Sequence, residues 1–436
     1  MTAPLWITGL GIAAAGTTGI PAFEAVLRSG RSAIAPVAGP GPLRRAALLP
    51  EAAFAPPCPV PRGATRAARS AVTAAAEAWR QAGLTDPSDV ALVLAGHNLA
   101  LAETGETLLA QQHRLSFAPP RHATQVWDSH PLGVVAAALG LAGPGLVAGA
   151  HFASGLAALA QASLLLRAGE ACAALVVAPC IGLSPLEWHA FANLGALDPS
   201  VLDPTVLAPG AGPEAPRYQP FAPGGVGLVP GEAAAALVIE TAAHARARGA
   251  GPLARLGAVR VVLSGRAGPE PDAATEARAM RMVLAAAGLA PDAIGYVNAH
   301  ATGTPAGDRA EAEAIRTVFG GGPGAPVVNA TKAITGHTLM AAGLVGTVAT
   351  VLQLRGGFLH ANPALDAEDG DAGPGGRDTV LRHRESALPH FDGLPHFDGL
   401  RLAGRATAPL AAEAALCNAF GFDGLHGSAL ILRAET

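Results

Sequence analysis

Three stretches of this 436-residue chain collect side chains that can move protons or hold an anion. Asn298-Ala299-His300-Ala301-Thr302-Gly303-Thr304-Pro305-Ala306-Gly307-Asp308 carries a histidine and two threonines. Asn329-Ala330-Thr331-Lys332-Ala333-Ile334-Thr335-Gly336-His337, followed by Ala341-Ala342-Gly343, carries a lysine and a second histidine. Asn418-Ala419-Phe420-Gly421-Phe422 sets a glycine between two aromatic rings. Lys332 is the only lysine among 29 basic residues. A coding bias toward arginine is the bland account of the scarcity, and a lysine kept against it raises the question of what it does, since arginine does not replace a compact ammonium. A fourth stretch, Gly149-Ala150-His151-Phe152-Ala153-Ser154-Gly155, reads as a strand turning into an apolar helix. At its centre Phe152 offers a ring with no nucleophilic atom.

Strands and helices alternate around these stretches. Strands are expected at Leu5 to Thr8, Val90 to Leu94, Gly145 to Val147, Ala173 to Ala178, Ala234 to Glu240, Arg255 to Ser264 and Gly295 to Ala299. Helices are expected at Ile20 to Ser29, Ala64 to Gly83, Val134 to Leu141, Ser154 to Arg167, Thr275 to Gly288, Glu311 to Phe319 and Thr338 to Leu354. This alternation predicts an α/β architecture. Ser154 to Arg167 and Thr338 to Leu354 are apolar nearly all round, as a helix sandwiched between two sheets must be. Thr241 to Gly251 reads as a crossover between two halves, 1–245 and 252–436. A Gly/Pro-rich insertion at 366–400 ends in the tandem repeat Pro389-His390-Phe391-Asp392-Gly393-Leu394 and Pro395-His396-Phe397-Asp398-Gly399-Leu400. The repeat reads as a duplicated surface loop. A His/Asp metal site is the weaker alternative, because one His and one Asp per unit fix no ligand geometry.

Composition excludes several classes. Half the residues are hydrophobic and 14% are charged, with a net charge of −4, so no basic surface points to nucleic acid. Gly, Pro, Arg and His interrupt each apolar run before about 18 residues, so no membrane span is expected. Cys58, Cys172, Cys180 and Cys417 show no metal or disulfide spacing, which implies a reducing cytoplasm. The N-terminus reads as a first strand and turn rather than a signal peptide.

The order and spacing of the stretches resemble the β-ketoacyl-acyl-carrier-protein synthase family over essentially the whole chain. The first matches that family's His-Gly-Thr-Gly-Thr-x-x-x-Asp segment with Ala301 in place of one glycine; the second matches its Lys and Gly-His segment; the third matches its Phe-Gly-Phe segment. A lone histidine is more often a core residue than a catalyst, but two histidines and the sole lysine in matching contexts make coincidence a poor account. The resemblance implies a thiolase-like fold, two similar halves in five αβαβα layers, used as a dimer. It implies that His300 and His337 donate to an enolate oxygen, that Lys332 orients them, and that Thr302 and Thr304 contact a phosphopantetheine arm carried by an acyl carrier protein. Leu228 and Phe420 would line the substrate path, and the backbone N–H groups of residues 152 and 420 would form an oxyanion hole. No cofactor of its own is implied.

The departures from the family carry as much information. Phe152 stands where the family has its nucleophilic cysteine. A charged segment is replaced by Gln219-Pro220-Phe221-Ala222-Pro223-Gly224-Gly225-Val226-Gly227-Leu228, Gly346 replaces a glutamate that supports the lysine, and Asp423 and His426 replace a Gly and an Asn. His151 and Ser154 are expected to point away from the pocket. Three functions follow. The first is a Cys-less, chain-length-factor-type partner of an active Cys-containing ketosynthase subunit, paired as a heterodimer in type II polyketide or fatty-acid-like (polyene) synthesis. The second is a malonyl-acyl-carrier-protein decarboxylase or other unusual acyltransferase using the retained His/His/Lys site. The third is a non-catalytic scaffold. The first is the leading expectation, although such partners often lose the histidines that this chain keeps.

Overall fold

The computed structural model describes residues 4–38, 42–202, 220–221, 227–363, 397 and 399–434. Its core is a mixed sheet path in the order 401–402, 327–329, 296–298, 414–420, 425–433, 254–263, 5–14, 233–241, 173–178, 90–95, 145–148. The two halves join where Leu5, Trp6 and Ile7 pair antiparallel with Leu256, Arg255 and Ala254. Two helices, Ser154–Ala168 and Ala342–Gly356, fill the centre between the half-sheets. Helix Arg66–Ala82 covers one outer face, and helices Ala273–Ala287 and Pro305–Phe319 cover the other. This is the thiolase-like α/β arrangement of five layers.

The central helices are apolar on all sides because both faces are covered. Every residue from Ala342 to Leu354 is buried. One expectation is corrected here. Leu339–Gly356 is 18 residues long and apolar enough to cross a membrane, but 89% of it is buried inside the fold. Its hydropathy is that of a core helix.

The first strand also differs from expectation. It runs from Leu5 to Ala14 rather than turning at Gly9. A Cβ on Gly9 would lie 2.2 Å from the Ala78 carbonyl oxygen, and one on Gly11 would lie 1.9 Å from that of Ala74. These glycines therefore admit helix Arg66–Ala82 against the strand rather than make a turn. That helix ends at Gly83 in the left-handed conformation, as its sequence predicted. Among the helices not foreseen, the two longest are Leu101–Gln111 and Pro185–Asn193. The second has a capping box, Ser184 with Glu187, which is a readable start signal. Most of the tandem repeat lies outside the described residues; of it, Phe397 packs its ring 5.7 Å from that of Phe221.

Candidate functional site

The site is built from strand ends and tight turns, held by buried polar groups. Asn298 and Asn329 end neighbouring parallel strands. Asn298 Nδ2 donates to Thr331 Oγ1 at 2.8 Å and to the Gly346 carbonyl at 3.0 Å. Asn329 Nδ2 donates to Gln353 Oε1 at 2.9 Å, tying its strand to the central helix. These bonds fix the turns that follow, which carry His300 and Lys332. Gly346 stands where a larger residue has no room, since an added Cβ would meet Cys417 Sγ at 2.9 Å.

His300 is held from both sides. Its backbone N–H donates to Glu311 Oε1 at 2.8 Å, and that of Ala301 donates to Glu311 Oε2 at 2.6 Å. Lys332 Nζ donates to the His300 carbonyl and lies 3.3 Å from His300 Nδ1. A donor at Nδ1 leaves the ring proton on Nε2. Glu311, on the Pro305–Phe319 helix, thus holds the His300 turn through its backbone and raises Lys332 by its charge. The sequence pattern did not single it out. Its signal was a carboxylate on the inward face of a helix that begins just after the histidine.

His337 is positioned by backbone and then by a strained neighbour. Its N–H donates to the Val229 carbonyl at 2.8 Å, and its own carbonyl accepts from Gly231 N at 2.9 Å. Gly336, at φ +65°, packs so tightly against Pro230 that only glycine fits; a Cβ would lie 2.7 Å from the Pro230 oxygen. Leu339, at φ 50°, donates its N–H to His337 Nδ1 at 3.0 Å. This ring also carries its proton on Nε2, and that nitrogen has no partner. The two imidazoles lie 5.5 Å apart, nearly perpendicular.

Electrostatics keep both rings neutral. Burial and the Lys332 charge hold His300 and His337 well below the ordinary histidine range. Burial lowers Lys332 to about 8, against the opposing pull of Glu311. At neutral pH the site is thus a mostly protonated lysine behind two neutral N–H donors.

Phe152 occupies the elbow. Its ring lies 4.5 Å from that of His337, at 61°, and 4.0 Å from that of His151. The turn is stapled by Ser154 Oγ, which accepts from Ala150 N at 2.9 Å and donates to the His151 carbonyl at 2.6 Å. That hydroxyl is committed to structure. His151, at φ 49°, bears the backbone strain of the turn. No thiol substitutes for the missing one. Cys180 and Cys417 are buried, and burial pushes Cys417 up to about 11. Cys58 and Cys172 are also raised by burial, so none is a ready thiolate.

A cleft of about 270 Å³ reaches this site. Phe152, Leu228, His300, Thr302, Thr304 and Phe420 all line it. His337 does not; fully buried, it sits behind the Phe152 ring. Thr302 Oγ1 and Thr304 Oγ1 lie 2.8 Å apart within the cleft wall. Gly421 closes the elbow side, where a Cβ would approach Phe152 N to 3.2 Å. His426, noted in the sequence only as a departure, and Glu276, not noted at all, also face this cleft.

Residues 2–245 match the N-terminal domain of β-ketoacyl synthase and residues 256–366 match its C-terminal domain. The chain belongs to the β-ketoacyl synthase family. It is 32% identical over 309 residues to the polyketide biosynthesis malonyl-ACP decarboxylase PksF of Bacillus subtilis (strain 168), covering 70% of this chain and 71% of that protein. It is 37% identical over 207 residues to the chloroplastic 3-oxoacyl-[acyl-carrier-protein] synthase II of Arabidopsis thaliana, 47% of this chain and 33% of that one. A β-ketoacyl synthase from Burkholderia phymatum STM815 superposes over all of both chains with a TM-score of 0.80 and 26% identity. The ishigamide ketosynthase/chain length factor shares the fold, with a TM-score of 0.81 at 23% identity over all of both chains.

Proposed function

We propose that this synthase homologue decarboxylates a malonyl group held as a thioester on the phosphopantetheine arm of an acyl carrier protein, without condensing it. The reading is carried by one observation: two neutral imidazoles, each with Nδ1 occupied, stand beside an elbow that has lost its thiol. Release of CO2 leaves the electron pair of the broken Cα–carboxyl bond on the thioester as an enolate. His300 lines the cleft, and its Nε2–H donates to the enolate oxygen as charge develops there. His337 Nε2–H, unpaired behind Phe152, adds a second donor when that ring turns aside. Fixed donors in a desolvated site are the largest single contribution to such steps. Lys332 and Glu311 position His300. A proton from water then converts the enolate to an acetyl thioester, which leaves on its carrier. With a phenyl ring at 152, no acyl-enzyme forms and no second chain waits to be attacked. The resemblance to a protein named as a malonyl-ACP decarboxylase supports this reading. The test is CO2 release from malonyl-loaded carrier protein, with the acyl carrier followed by mass. Absence of both CO2 and acetyl carrier rejects it.

A second reading is favoured by the surface. Among the described residues, the Gly145–Ala148 strand ends the sheet on one side, and helix Leu101–Gln111 buries no residue. Leu108, Leu109, Leu115 and Phe117 are exposed nearby in sequence, and Trp127 is 64% exposed. A sheet edge and an apolar segment suit a second chain of the same fold. On this reading the protein is a chain-length-factor-type subunit paired with a Cys-containing ketosynthase in the cytoplasm. Co-purification with such a chain from the native organism tests it; a homodimer rejects it.

A further inference from the structure

Glu276 and His426 face each other in the cleft and belong to neither the histidine site nor the threonine pair. Glu276 lies in the first turn of helix Ala273–Ala287 and His426 in strand Leu425–Arg433; each is 2% exposed. Glu276 Oε1 and His426 Nδ1 are 3.8 Å apart, too far for a hydrogen bond. Glu276 Oε2 and both ring nitrogens of His426 have no partner at all. Buried polar atoms are rarely left so. Both residues line the cleft, which brings a ligand held there close to them.

The chemistry of that ligand follows from the charge. Burial and the carboxylates of Glu311, Asp272, Asp308 and Glu313 push Glu276 well up, which favours the protonated form that can donate. Burial brings His426 down to about 4, so it is a neutral imidazole with one donor and one acceptor nitrogen. Arg278 is the cation that acts on His426, and its guanidinium is engaged by the Leu263 carbonyl. An anion is disfavoured among so many carboxylates. Among the described residues no group of three or more His, Cys, Asp and Glu is arranged for a metal. A neutral ligand with both an N–H and a C=O can accept from the acid and donate to one ring nitrogen. The Phe420 ring lies 5.5 Å from His300 and 5.4 Å from His426, so the pair sits one ring away from the reacting centre.

We propose that Glu276 and His426 form a second polar subsite of the cleft that binds a secondary amide of a pantetheine arm. The amide C=O accepts from the acid, and the amide N–H donates to the ring nitrogen that carries no proton. This rests on the reading of the cleft as the path of a carrier arm, and its test is separate from turnover. Calorimetric titration with free pantetheine is expected to show binding that His426→Ala weakens about tenfold or more. Glu276→Leu behaves alike, whereas Glu276→Gln, which keeps a donor and an acceptor, stays within about threefold. Leu194→Ala, on the same cleft but apolar, serves as the control for lost packing. If His426→Ala fails to fold, the Glu276→Leu and Glu276→Gln pair decides. Equal binding by Glu276→Leu and wild type, or no pantetheine binding by wild type, overturns the proposal. Dyad-dependent binding without CO2 release leaves it standing and removes the decarboxylase reading instead.

Discussion

The edge-on contact between Phe152 and His337, with ring centroids 4.5 Å apart, places a phenyl ring at the elbow directly against a buried imidazole. The phenyl ring covers His337 and, on the proposed reading, shields one of the two donors. His300 alone meets the cleft directly. The consequences of this asymmetry can be measured.

The two histidines should not contribute equally. His300→Ala is expected to lower decarboxylation by about 10²–10³-fold, the cost of removing one preorganised donor. His337→Ala should cost less, because Phe152 covers that ring. Single-turnover CO2 release from malonyl carrier protein measures both.

Restoring a thiol should restore the covalent step. Phe152→Cys places sulfur at the elbow beside two imidazoles. It is expected to take an acyl group from acyl carrier protein, seen as a mass increase on the protein, where the wild type shows none. Phe152→Ala instead leaves a cavity and should cost about 3–5 kcal/mol of stability in denaturant unfolding.

The pH profile should lack an ordinary histidine limb. His300 and His337 are held below the usual histidine range, so protonation between pH 7 and 6 does not remove the donors' neutral form. The limb that does appear lies on the alkaline side. Lys332, lowered to about 8, is charged below that value and neutral above it. The rate should therefore fall as pH rises through about 8, read from kcat between pH 5.5 and 9.5.

Glu311 holds two backbone N–H groups and accepts from Asn418 Nδ2 at 3.0 Å. Glu311→Ala strands these donors and should destabilise the fold by at least about 2 kcal/mol. Since Glu311 positions His300 rather than touching substrate, Glu311→Gln should lower kcat and leave KM nearly unchanged.

Much of this site was legible from residue types and spacing. His300, Thr302, Thr304, Phe420 and Leu228 share one cleft because each sits where a strand or turn ends at the same face. The histidine tautomers were not legible, because Lys332 and the Leu339 N–H that set them come from the folded turns. Glu311 and Glu276 escaped notice for a related reason. Acidic residues on helices read as solvated surface until the packing shows both nearly fully buried. Gly9 and Gly11 misled in the other direction. A glycine that admits a helix and a glycine that makes a turn look the same in a sequence.

The most direct test of the account is to give the purified protein malonyl-loaded acyl carrier protein together with an acyl-loaded carrier, and to read every carrier product by mass. The account predicts acetyl carrier and CO2, with the acyl carrier untouched and no acyl group on the protein. A β-ketoacyl carrier formed by this chain alone, or malonyl carrier left unchanged, would contradict it.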